Sequence, residues 1–154
     1  MDGIDTAIPS AVGRCLCGAV RIELAEVRPE VEVCHCTMCL QWGGGPFMGV
    51  SAGSFDITGQ DRITAHRSSE WAERAFCQAC GSNLYYRFIP ADHYSFCAGL
   101  FDFGDTVTMT KQIFVDEKPP FYDFAQDTPM QTATEVIAEA ASAGYSFPEQ
   151  ADKT

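Results

Sequence analysis

At 154 residues the chain is long enough for one domain with a real hydrophobic core, and no apolar run approaches the roughly 18 residues of a membrane-spanning helix. Hydrophobic residues make up 46% of it and charged residues 20%, the balance of a soluble globular protein. Ten basic against 21 acidic residues give a net charge of −11; a polyanion is repelled, and the Lys/Arg cluster that nucleic-acid binding requires is absent.

Residues 1–13 read as a flexible N-terminal arm, mixed and acidic, with Pro9 and no apolar stretch of the signal-peptide kind, which points to the cytoplasm. Residues 14–125 read as one β domain that holds all eight cysteines. It opens on Cys15-Leu16-Cys17-Gly18, a turn that enters a strand over 19–27, with Val20, Ile22 and Leu24 on one face and Arg21 and Glu23 on the other. Glu32-Val33 leads into Cys34-His35-Cys36 and Cys39, and Gly43-Gly44-Gly45-Pro46 then breaks regular structure. Short strands are expected over 47–51, 55–58, 63–67, 74–77, 84–88, 94–100, 107–110 and 112–115, punctuated by glycine and proline: a mainly β fold. In the C-terminal segment, 126–154, Thr132-x-x-Glu135 is a capping box, and Gly144 closes a helix over about 133–143.

Seven of the eight cysteines fall in three tight groups, Cys15/Cys17, Cys34/Cys36/Cys39 and Cys77/Cys80, while Cys97 stands alone as a small hydrophobe. Thiols this close suit a metal, because neighbouring sulfurs can converge on one ion at about 2.3 Å, whereas disulfides are disfavoured in the cytosol. Seven divide as four plus three. Cys15, Cys17, Cys77 and Cys80 can close one structural zinc site, against the alternative of two unrelated thiol pairs. Cys34, Cys36 and Cys39 can hold a second zinc with an open, catalytic fourth position; equally, that site can be structural and completed by His35, His93 or a carboxylate. Iron suits four thiolates as well, but Cys-x-Cys and Cys-x-x-Cys pairs favour zinc. His35, between two ligands, points away from their ion as a surface or supporting group, and His66 reads as structural. Trp42, Trp71, Tyr85, Tyr86, Phe121 and Tyr122 pack the core or line a cleft.

The ordered set Cys15-Leu-Cys-Gly-Ala-Val20, Cys34-His-Cys-Thr-Met-Cys39 with its glycine-rich sequel, and Phe76-Cys-Gln-Ala-Cys-Gly-Ser-Asn-Leu84 resembles the glutathione-dependent formaldehyde-activating enzyme (GFA), or centromere protein V, family over residues 14–124. The resemblance implies stacked antiparallel sheets of the β-tent type. It also implies a structural zinc on Cys15, Cys17, Cys77 and Cys80, and a catalytic zinc on Cys34, Cys36 and Cys39. The implied activity is a carbon–sulfur lyase acting on the glutathione-like thiol adduct of a small aldehyde. The chain departs from the family pattern at Gln112, where relatives carry His, at Phe121 in place of Trp, and at Leu40 in place of a basic residue. Arg62, Arg67, Arg74 and Arg87 are the cations available for glutathione's carboxylates. A non-catalytic, zinc-stabilised interaction module is the competing reading, and a metal-free redox dithiol at Cys77-x-x-Cys80 a third.

Overall fold

A computed structural model describes residues 6–145. Eleven strands and two α-helices follow in the order β1 (Ile8–Arg14), β2 (Arg21–Val27), β3 (Glu30–Cys34), α1 (Thr37–Gly43), β4 (Phe47–Val50), β5 (Ala52–Thr58), β6 (Ile63–Arg67), β7 (Ala72–Cys77), β8 (Asn83–Phe88), β9 (His93–Cys97), β10 (Thr108–Ile113), β11 (Met130–Gln131) and α2 (Ala133–Ser142). The mainly β expectation holds, as does the short C-terminal helix with both hydrogen bonds of its capping box in place.

The strands form a three-stranded sheet, β1-β2-β5, and an eight-stranded sheet, β11-β10-β3-β4-β9-β8-β7-β6. Alternation along β2 buries Ile22 and Leu24 on one face, and these pack with Val20, Val27, Val50, Leu84, Phe96 and Phe101 into a single core. Aromatic rings join the two sheets: Phe55 of β5 lies 4.6 Å from Tyr94 and 5.1 Å from Phe96 of β9, centroid to centroid.

Three sequence expectations are corrected. Within the arm, Ile8–Arg14 is a strand, paired antiparallel with β2; the rest of the arm up to residue 5 lies outside the described residues. The two strands expected over 107–115 are one strand, β10, whose register shifts between Met109 and Lys111. The larger sheet is also mixed, because β10 runs parallel to both β3 and β11. No helix among the described residues is long and apolar enough to cross a membrane.

Candidate metal centres and their cleft

The first centre is built by two turns of the same design. Cys15 and Cys17 lie in the β1–β2 turn, Cys77 and Cys80 in the β7–β8 turn. In each, the amide of the first cysteine bonds to a carbonyl five residues on (Cys15 to Val20, 3.1 Å; Cys77 to Ser82, 2.9 Å). A glycine at φ +79°, Gly18 or Gly81, then turns the chain and returns its amide to the carbonyl of that first cysteine. A residue with a Cβ is strained in that left-handed conformation. Ser82 locks the two turns together: its hydroxyl accepts the Leu16 amide at 3.0 Å and lies 3.2 Å from the Cys80 sulfur.

All four Sγ atoms lie within 4.8 Å of one another, with Cys15–Cys17 at 3.6 Å and Cys17–Cys77 at 3.8 Å. Sulfurs placed about 2.3 Å from one tetrahedral ion stand about 3.8 Å apart, close to both of these distances, so this donor set suits zinc. All eight cysteines are free thiols. The Ser82 hydroxyl, followed by its backbone amide, holds the Cys80 thiol down to about 5. The centre ties the smaller sheet to the larger one.

The second centre forms where β3 meets α1. Cys34 ends β3, paired with Phe47 of β4 on one side and Ile113 of β10 on the other. Cys36 is the N-cap of α1, its sulfur accepting the Cys39 amide at 3.4 Å, the role that Ser or Asp usually fills. The helix thereby brings Cys39, three residues on, to the same side, and Gly44 ends it. The three sulfurs lie within 4.8 Å of one another, with no fourth His, Cys, Asp or Glu in the group among the described residues. Hydrogen bonds from Cys34 and then Cys39, joined by the Cys39 amide and the Arg74 charge, hold Cys36 at about 2, and Cys34 as the donor is pushed up. The cluster therefore keeps a thiolate ready for a cation.

His35 is neither a ligand nor on the surface; it is 0% exposed. Its Nε2 lies 2.8 Å from Gln112 Oε1 and its Nδ1 2.7 Å from the Tyr122 hydroxyl. The donors run one way. Tyr122 O–H gives to Nδ1, Nε2–H to the Gln112 carbonyl, the Gln112 amide to Thr128 (3.1 Å), and Thr128 to the Pro129 carbonyl (3.1 Å). This chain clamps the Cys34–Cys36 link to the segment following β10. His93 does not complete the site either: it is exposed, with its Nε2 3.2 Å from the Ser51 hydroxyl. His66 is exposed on β6, and Phe121, 81% exposed, neither packs in the core nor lines the cleft. Cys97 is half-buried, and burial pushes its thiol up to about 12.

Arg74 is the residue that spacing undervalued. It sits in β7, 4% exposed, with Nη1 3.4 Å from the Cys39 sulfur and Nε 3.2 Å from the Ser68 hydroxyl. Its guanidinium lies 5.2 Å from the Trp42 ring and 5.1 Å from the Tyr86 ring. Burial opposes its charge, but the neighbouring Cys39 and Cys36 sulfurs more than offset this and raise its pKa. The one signal in the sequence was a lone arginine within the Ala72–Cys77 run that enters a cysteine pair.

Cys34, Cys36 and Cys39 line a cleft of about 810 Å³, with Tyr86 and Phe47 beside them and Val136 and Ile137 of α2 forming part of the wall. The glycine-rich stretch after α1 does not face this cleft. Gly43, Gly45 and Pro46 line a separate cavity of about 230 Å³ behind Cys39.

Fold and site together define a mainly β, thiol-rich domain with two cysteine clusters that could each hold a metal, one stapling its sheets and the other facing a cleft. The family model described as glutathione-dependent formaldehyde-activating enzyme matches residues 10–117, and the chain belongs to that family. It is similar to an uncharacterised lyase of Schizosaccharomyces pombe, at 34% identity over 132 residues, covering 84% of this chain and 96% of that one. A Rhodobacter sphaeroides protein of known crystal structure shares the fold with a TM-score of 0.52 at 22% identity, covering 60% of this chain and 88% of that one.

Proposed function

We propose that the protein is a zinc-dependent carbon–sulfur lyase of the GFA type, acting in the cytoplasm on the thiol adduct of a small aldehyde. In this reading Cys15, Cys17, Cys77 and Cys80 hold a structural zinc, and Cys34, Cys36 and Cys39 hold the catalytic one. The observation that carries it is the meeting of three thiols on the wall of a cleft, with no fourth ligand in their group among the described residues. Structural zinc is closed by four ligands; a three-ligand site on a cleft leaves room for substrate. Family membership and the lyase name of the fission-yeast relative support the reaction class.

When bound there, zinc supplies Lewis acidity, stabilising a thiolate or polarising an oxygen. The chain's own residues do the rest. Three thiolates around a divalent ion leave one negative charge in excess, and Arg74, buried against Cys39, matches it. The His35–Gln112–Tyr122 clamp fixes the backbone between two ligands, so the sulfurs do not reorganise as substrate enters. Trp42 and Tyr86 flank the guanidinium and shield its contact with Cys39 from water. In the lyase direction the carbon–sulfur bond of the adduct breaks, its hydroxyl loses a proton, and a thiol and an aldehyde leave. The reverse direction joins them, with the cleft holding both in reacting distance.

Cys36→Ser and Cys77→Ser separate the two centres. Cys36→Ser should abolish turnover of a formaldehyde–thiol adduct and leave the thermal transition nearly in place. Cys77→Ser should unfold or aggregate the protein, because Cys77 is 0% exposed in the core and closes the four-thiol centre. Equal destabilisation by both, or no turnover by the natural chain, would favour the interaction-module reading; full turnover by Cys36→Ser would take the catalytic role away from this centre.

A further inference from the structure

The charges around the cleft bear on which thiol it accepts. Glutathione carries two carboxylates, and a site built for it needs cations to meet them. None of the four arginines that the sequence offered for this is free. Arg62 pairs with Asp61 at 3.8 Å, and Arg67 is spent on the carbonyls of Ser69 and Glu70. Arg87 bridges Glu73 and Asp92 at 3.0 and 2.8 Å, and Arg74 is committed to Cys39 and Ser68. Of these only Arg74 lines the cleft, joined by Arg28, which is paired with Glu30 at 3.1 Å, and by His93, whose Nε2 lies 3.2 Å from the Ser51 hydroxyl.

The anions are more numerous. Glu30, Glu32, Glu117 and Glu139 all line the cleft. Arg28 offsets the first, Glu117 accepts the Thr37 amide at 2.9 Å, and Glu139 meets Lys111 at 3.5 Å; Glu32 is exposed on β3. Between these carboxylates the walls are apolar: Met38, Trp71, Phe88, Phe114, Val136 and Ile137. The net charge of −11 adds a long-range field of the same sign.

Resting on the thiol-adduct reading above, we infer that the cleft selects a thiol without carboxylates, one that is neutral or cationic with an apolar body, and discriminates against glutathione itself. The adduct chemistry is unchanged; only the non-reacting part of the thiol differs. Apolar walls reward burial of such a body, whereas a glutathione carboxylate there is desolvated beside carboxylates, and both arginines that line the cleft already have partners.

The test compares glutathione with its diamide, which has the same thiol and nearly the same shape but carboxamides for both carboxylates. Each is titrated calorimetrically into the zinc-loaded full-length protein at low salt. The diamide should bind about tenfold more tightly, with the ratio shrinking in about 0.5 M salt as the repulsion is screened. Glu32→Gln should narrow the ratio at low salt. Glutathione binding as tightly as the diamide, or more tightly, overturns the inference and leaves the thiol-adduct reading standing. If neither binds, that reading falls and the inference falls with it.

Discussion

Arg74 has exchanged water for two aromatic faces, a serine hydroxyl and a cysteine sulfur, and its buried charge is supported by the thiols of the three-cysteine centre. Arg74→Met keeps most of the volume and deletes the charge. It should lower zinc affinity at the three-cysteine centre by about 10- to 100-fold and leave the four-cysteine centre untouched, measured by competition with a chromophoric chelator. Arg74→Lys should recover part of the loss. Gln112 makes a different contribution, since its amide passes the hydrogen-bond chain from His35 to Thr128. Gln112→Leu strands a buried ring nitrogen and should cost about 1–3 kcal/mol, read as a lowered denaturation midpoint. Which cysteines gather was legible in the sequence because each group is tight and seven thiols divide as four plus three. That Arg74 touches Cys39 across 35 residues, and Gln112 touches His35 across 77, was not; those contacts exist only once β3, β7 and β10 share a sheet.

The elements divide along the same line. α2 announces itself, with Thr132 and Glu135 exchanging bonds of 3.3 and 2.8 Å and Gly144 following at φ +96°. α1 was hidden because it has seven residues and a cysteine for its cap, a residue that carries no helix-start signal of its own. β1 lacks alternation and contains Pro9; it becomes a strand because the edge of β2 is there to pair with. The parallel placement of β10 between β3 and β11 is likewise a product of topology, invisible to any local window. It matters here because it fixes Ile113 beside Cys34. α2 meets the rest of the chain through β11, the segment after β10 and the cleft wall, and no residue of it is buried. Its stability therefore depends heavily on its cap. Thr132→Ala should cost about 1 kcal/mol, seen as faster amide exchange confined to α2, with weaker thiol binding because Val136 and Ile137 are held less firmly.

For the molecule as a whole, the two centres differ in what depends on them. The four-thiol centre joins turns 60 residues apart and puts Cys15 and Cys77 into the core at 2% and 0% exposure, so an ion held there, as proposed, would be coupled to folding. The three-thiol centre lies on a cleft wall, where an ion can leave without opening the core. Brief treatment with a mild chelator should remove one zinc per chain with the circular dichroism unchanged, and the second should leave only as the β signal is lost. Acid acts in the same order of dependence, since each ligand must be a thiolate and protons compete for the sulfur. Cys80 is lowered in the folded chain from 9.0 to about 5, so the stability it contributes is complete above pH 9 and drains away as the pH falls toward 5. Ser82 is the largest cause of that lowering, and removing its hydroxyl moves the folded value back up. Thermal midpoints of Ser82→Ala measured between pH 9 and pH 5 should therefore begin to fall at a higher pH than those of the natural chain. Curves that superimpose would mean the serine only shapes the turn, whereas a shift to higher pH assigns it the thiolate of the sheet-joining centre.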